Sequence, residues 1–219
     1  MSQSVAIVDP GSGNLASLDR AICRAAAQAD IPVKVTVTTD PEVLRRADRI
    51  LLPGQGAFAA CRRGLEALPG VLATLEHEVR QQGKPLLGVC VGMQILAERG
   101  LEHGATDGLG WFAGEVAPMD PQDGAGHPLP LPQMGWNALA FTPGSHPLLR
   151  DLPPGAYGYF VHSFALQGGE EEDVLATTDY GGPVVAMIAR HNVAATQFHV
   201  EKSQATGLTI LANFLRWEP

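Results

Sequence analysis

The chain is short of cysteine, of positive charge and of long apolar runs. It holds three cysteines in 219 residues: Cys23, Cys61 and Cys90. None belongs to a Cys-x-x-Cys pair, so neither a disulfide framework nor a zinc site is expected, and the reducing cytoplasm is the natural compartment. Lysine and arginine number 15 against 23 aspartates and glutamates, for a net charge of −8. That deficit argues against nucleic acid or an anionic membrane as partner, because both demand a basic surface. No apolar run approaches the roughly 20 residues needed to span a bilayer. The opening Met1-Ser2-Gln3-Ser4 lacks the charged start of a signal peptide, so none is expected. Internal repeats, low-complexity tracts and linkers are also missing. What is present, 45% hydrophobic and 17% charged residues, is an ordinary globular balance. At this length it predicts one domain, residues 1–219, with a full core.

Apolar runs and turn residues alternate through the first half. Val5–Val8, Val33–Thr38, Arg49–Leu52 and Pro85–Leu87 read as strands. Helical patterns run over Leu15–Ala29, Pro41–Ala47, Ala57–Leu68 and Val71–Gln82, the second with proline in its first turn. This β-α-β order predicts an α/β fold: a mainly parallel sheet with helices on both faces. Ligands of such sheets bind beyond the carboxyl ends of the strands, where Asp9–Asn14, Pro53–Gly56 and Cys90 all fall. In the second half, Gly135–Phe141, Gly158–Ser163, Val174–Thr178, Val184–Ala189 and Val193–Phe198 are strand-like. Asp120–Pro132 reads as a loop and Gln204–Arg216 as a closing helix. Cys23 and Cys61 lie in helical patterns and are expected to be small buried hydrophobes.

Gly88-Val89-Cys90-Val91-Gly92 carries the chemistry. It stands between a strand and a helix expected over Met93–Glu98, which is the setting of a nucleophile elbow. Small residues on both sides permit the sharp turn, and a thiol at its centre points to acyl transfer through a thioester. A base is then needed. Of the seven histidines, His199 is the best placed, because it ends an apolar strand and Glu201 follows two residues on. In extended chain those two side chains point the same way. His77, His103, His127, His146 and His191 fall in polar helix, loop or turn contexts. His162, in Phe160-Val161-His162-Ser163, is either structural or part of the site wall.

Gly88–Gln94 together with Gln197-Phe198-His199-Val200-Glu201-Lys202-Ser203 resembles the class I glutamine amidotransferase family. Gly11–Asn14, Leu52–Phe58, Met134–Asn137 and Tyr159–Ser163 are similar, more narrowly, to the glutaminase subunits of imidazole glycerol phosphate synthases. The resemblance implies a flavodoxin-like architecture with extra antiparallel strands in the second half. It implies hydrolysis of glutamine by Cys90, with His199 as proton carrier and Glu201 as its orienter. The oxyanion would be held by backbone near Gly54 and Gly56 and by the Val91 N–H. Gln94 and Glu102 would bind the glutamine head group, with backbone help from Ser163 and Phe164. No metal or organic cofactor is implied. The implied partner is a separate (β/α)8-barrel cyclase that takes up the ammonia in histidine biosynthesis, with Asn14, Trp136, Tyr159 and Lys202 on the docking face. Flanked by Gly135 and Asn137, Trp136 is expected in a partly exposed turn.

Four positions depart from the family pattern. Val200 replaces the usual proline between His199 and Glu201, which removes a backbone restraint. Gln55, Gln133 and Pro10 stand where a small apolar, a basic and an aromatic residue are common. Other readings remain open: a glutaminase serving another synthase, such as that of pyridoxal phosphate, an inert docking module, or a cysteine hydrolase on a similar fold.

Overall fold

The four apolar runs of the first half become strands β1 (Gln3–Val8), β2 (Val33–Thr38), β3 (Arg49–Gly54) and β4 (Leu86–Cys90). The computed structural model describes residues 2–11 and 13–219, so Ser12 of the Gly11–Asn14 motif lies outside the described residues. All four strands pair in parallel, in the order β2-β1-β3-β4. Every residue of β3 and β4 is buried, as expected of central strands covered on both faces.

Helix α1 (Leu15–Gln28) buries Leu18, Ala21, Ile22, Ala25 and Ala26 on one stripe. Cys23 falls beside that stripe and is exposed, against the expectation from sequence. Helix α2 (Pro41–Arg46) starts at Asp40, whose carboxylate accepts from the Glu42 N–H at 2.8 Å. Helices α3 (Phe58–Glu66) and α4 (Val71–Leu75) follow, the latter running on into a π-helical turn at Glu76–Gln81. Cys61 is buried on α3, as expected.

The helix expected over Met93–Glu98 is a correction. Helix α5 spans only Val91–Gln94. The carbonyls that would extend it are taken by a neighbouring loop: Leu109 N–H donates to Ile95, Trp111 to Leu96, Gly110 to Ala97 and Gly108 to Glu98. The chain instead enters β5 (Arg99–Gly100), followed by β6 (Thr106–Asp107) and β7 (Glu115–Pro118).

The second half adds β8 (Gln133–Ala140), β9 (Tyr157–His162), β10 (Phe164–Gln167), β11 (Val174–Asp179), β12 (Pro183–Arg190) and β13 (Val193–Thr196). Strand β13 pairs in parallel with β4, and β12, β11, β8 and β9 continue the sheet antiparallel. The result is a nine-stranded sheet, β2-β1-β3-β4-β13-β12-β11-β8-β9, beside a four-stranded sheet, β10-β7-β5-β6. Trp136 sits inside β8 rather than in a turn, although its partial exposure is as expected. Helix α6 (Gln204–Arg216) closes the chain. Among the described residues, no helix is long and apolar enough to cross a membrane.

Candidate active site

The register of three parallel strands gathers the site. Gly54 ends β3 opposite Cys90 at the end of β4. Thr196 ends β13 opposite Val89, so the segment leading to His199 leaves the sheet beside Cys90.

Cys90 has φ 56° and ψ −114°, a strained conformation, and the chain turns from β4 directly into α5. The turn is possible because α5 lies against the backbone of β3. A Cβ on Gly92 would stand 1.9 Å from the Leu52 carbonyl oxygen, and one on Gly54 would stand 2.5 Å from the Gly92 nitrogen. The elbow therefore needs glycine on both segments at this contact.

His199 Nδ1 lies 2.8 Å from Glu201 Oε1, and both side chains are buried. The reason differs from the extended-chain argument. Val200–Lys202 form a single 3-10 turn, which brings Glu201 back under the imidazole. The turn is fastened to β9: His199 N–H donates to the Tyr159 carbonyl at 3.0 Å, and Tyr159 N–H donates to Ser203 Oγ at 3.0 Å. Ser203 Oγ in turn donates to the His199 carbonyl at 2.7 Å. Val200 is buried, and its carbonyl leaves no room for a Cβ on Gly207, which would approach to 1.8 Å. Packing and these bonds supply the restraint that a proline would have given.

The Cys90 side chain stands close enough to the His199 imidazole to act on its charge. Burial pushes its pKa down, but the bonds and negative charges of Cys90 and Glu201 outweigh burial and lift it to about 9. His162 behaves oppositely. Burial dominates and lowers it to about 4, with the neighbouring His199 charge adding to the effect and a bond to the Phe164 carbonyl opposing it. Its Nδ1 lies 2.9 Å from that carbonyl oxygen, so Nδ1 carries the proton of the neutral ring.

A pocket of about 300 Å³ opens over the sulfur. Its walls include Cys90, His199, Gln94, Glu102, Gly56 and His162, with Val91, Ser163, Phe164 and Lys202 also contributing. Gln94 is buried rather than solvent-facing, and its Nε2 donates to the Phe164 carbonyl and to Gln197 Oε1, both at 3.0 Å. Glu102 Oε2 accepts from the Phe58 N–H at 2.8 Å, at the start of α3. Gly56 has φ +84°, which glycine adopts without penalty. Gln55 also lines the pocket.

Of the residues expected on a docking face, Lys202 lines the pocket, and Tyr159 and Trp136 stand beside it. Lys202 Nζ lies 5.8 Å from the centre of the Tyr159 ring, and Trp136 packs edge-on against that ring at 5.5 Å. Asn14 precedes α1, and its carbonyl accepts the first bonds of that helix. Gln197 was missed in the sequence; the signal was an amide inside an apolar run, since a buried polar group needs a partner. No group of three or more His, Cys, Asp or Glu suited to a metal ion occurs among the described residues.

Residues 7–217 match the glutamine amidotransferase class-I family model. The chain is 53% identical over 217 residues to the imidazole glycerol phosphate synthase subunit HisH of Granulibacter bethesdensis, covering 98% of this chain and 96% of that protein. It is 50% identical over 219 residues to the HisH subunit of Bradyrhizobium diazoefficiens, covering 99% of this chain and all of the relative. The fold is shared with a crystal structure of a glutamine amidotransferase at TM-score 0.70 and 17% identity, covering 97% of each chain. It is shared also with a glutamine amidotransferase from Thermotoga maritima at TM-score 0.56 and 14% identity, covering 92% of this chain and 77% of that one. The α/β sheet, the elbow and the late His-x-Glu turn are thus accounted for together: the chain belongs to the class I glutamine amidotransferase family, among its HisH subunits.

Proposed function

We propose that this chain, read as a single amidotransferase domain, hydrolyses glutamine at Cys90 and supplies the ammonia to a (β/α)8-barrel cyclase. The observation that carries the reading is the buried line Cys90–His199–Glu201: sulfur and imidazole share the pocket wall, the sulfur acts on the imidazole's charge, and the imidazole's Nδ1 is 2.8 Å from a carboxylate.

The steps follow from these groups. With the proton already on His199, the sulfur attacks the side-chain carbonyl carbon of glutamine. The oxyanion is stabilised by the Val91 N–H and by backbone at Gly54–Gly56, where one lost donor typically costs about 10²–10³ in rate. His199 returns the proton to the departing nitrogen, ammonia leaves, and a γ-glutamyl thioester remains. Water, deprotonated by the same imidazole, cleaves the thioester to glutamate and restores the thiol. Glu201 keeps the imidazole oriented and stabilises its cationic form. Gln94, Glu102, Ser163 and Phe164 receive the glutamine head group.

Relatives named as subunits of imidazole glycerol phosphate synthase support the partner. Ammonia released to water would be protonated and lost, so a docked barrel that receives it makes the reaction productive. The barrel forms imidazole glycerol phosphate and aminoimidazole carboxamide ribonucleotide, a step of histidine biosynthesis. Asn14, Trp136, Tyr159 and Lys202 face it. Co-purification with a barrel cyclase, followed by glutamate release measured with and without the cyclase's nucleotide substrate, tests this. Release by the complex is expected; a stable complex that releases no glutamate in either condition would refute it.

A further inference from the structure

Behind the pocket wall, against Gln94 and Cys90, lies a polar side chain that the steps above do not use. Gln197 is fully buried, in the segment between β13 and His199, where an amide without partners would cost stability. Its hydrogen bonds fix its direction. A backbone carbonyl can only accept, so the Phe164 oxygen requires the NH2 end of Gln94, which lies 3.0 Å away. The second hydrogen of that NH2 goes to Gln197 Oε1, also at 3.0 Å. With its oxygen engaged, Gln197 turns its own NH2 the other way, and Nε2 lies 3.9 Å from Cys90 Sγ. The chain of donors therefore runs one way only, and it ends on the nucleophile.

We propose that Gln197 is a positioning donor for the nucleophile: its amide holds the Cys90 sulfur for attack, in a direction dictated through Gln94 by the Phe164 carbonyl. The inference rests on the reading of Cys90 as the glutaminase nucleophile and adds a group to it. With the proton on His199, the attacking sulfur is negative and stands between the imidazole and this amide. An N–H···S contact strengthens when the sulfur carries charge, so the donor favours the state that attacks. Gln94 and Phe164 also line the pocket. The sulfur's donor is therefore held in place by the groups that face the substrate.

Two substitutions, studied in the complex with the cyclase, test it. Gln197→Glu keeps an acceptor for Gln94 and replaces the donor with oxygen. Gln197→Met removes both ends at nearly constant volume. Each is expected to lower glutamine-dependent kcat on the order of 10- to 100-fold, with KM within about threefold and ammonia-dependent synthesis unchanged. The pH profile of Cys90 alkylation by iodoacetamide, followed by peptide mass, is expected to move to higher pH in both; an amide that only fills space would not move it. Should Gln197→Met fail to join the cyclase, Gln197→Glu decides alone. Wild-type kcat and an unmoved alkylation profile in Gln197→Glu overturn the proposal, as does a loss confined to KM. A wild-type complex that releases no glutamate overturns the glutaminase reading instead, and the alkylation profile, which needs no glutamine, keeps the two failures apart.

Discussion

Removing the sulfur of Cys90 is predicted to lower the pH at which His199 titrates. Burial alone would hold this imidazole neutral, yet Cys90 and Glu201 lift its pKa from an ordinary 6.5 to about 9. That rise corresponds to roughly 3 kcal/mol in favour of the imidazolium. Of the two side chains that oppose burial, Cys90 contributes more than Glu201. In Cys90→Ala, Glu201 alone opposes burial, and the midpoint is expected to fall clearly below 9. The same contact bears on stability. The folded pKa lies above the unfolded one, so the stabilisation is complete below pH 6.5 and is lost as pH rises through about 9. Nuclear magnetic resonance of 13C-labelled histidine reads the midpoint directly. His162, lowered to about 4, stays neutral across that range and marks the baseline. A wild-type His199 midpoint near 6.5, or the same midpoint in wild type and Cys90→Ala, would refute the reasoning.

Other substitutions test the surrounding structure. Gly207→Ala pushes a methyl against the Val200 carbonyl and should displace the turn that carries Glu201. It is predicted to cost about 1–3 kcal/mol in chemical denaturation and to lower kcat more than it raises KM; unchanged kcat would show that the turn tolerates the shift. Lys202→Glu should weaken stimulation by the cyclase more than glutamine binding, since its ammonium stands at the rim beside Tyr159; unaltered coupling in titration calorimetry and activity would remove it from the docking face. A glutamine-like electrophile should label Cys90 first. Cys23 is exposed, but the neighbouring protein that partly covers it and the Asp19 charge and bond push its thiol pKa up; peptide mapping that found Cys23 modified as fast would contradict this.

The parallel half of the fold was legible because its strands are short apolar or alternating runs set between helical patterns. Likewise Cys90 and His199 were legible because each follows such a run. The four-stranded sheet was not, because β5 and β6 contribute two residues each and carry no periodicity. The end of α5 depends on carbonyls captured by residues 108–111, a contact that local propensity does not encode. Glu201 reached His199 by a 3-10 turn rather than an extended chain, so the pairing was right and its geometry was not. Cys23 failed because a helical pattern alone does not say on which side of the apolar stripe a small residue falls. Gln94 and Gln197 became readable as a pair only when the register brought α5 beside the end of β13.

The central claim is that one sulfur performs the glutamine chemistry while a separate subunit consumes the ammonia. Cys90→Ser in the complex with the cyclase tests it most directly, with product formation measured first from glutamine and then from added ammonium salt. The account predicts that synthesis from glutamine disappears and synthesis from ammonia stays at the wild-type rate. Glutamine-dependent synthesis that survives the substitution would contradict it.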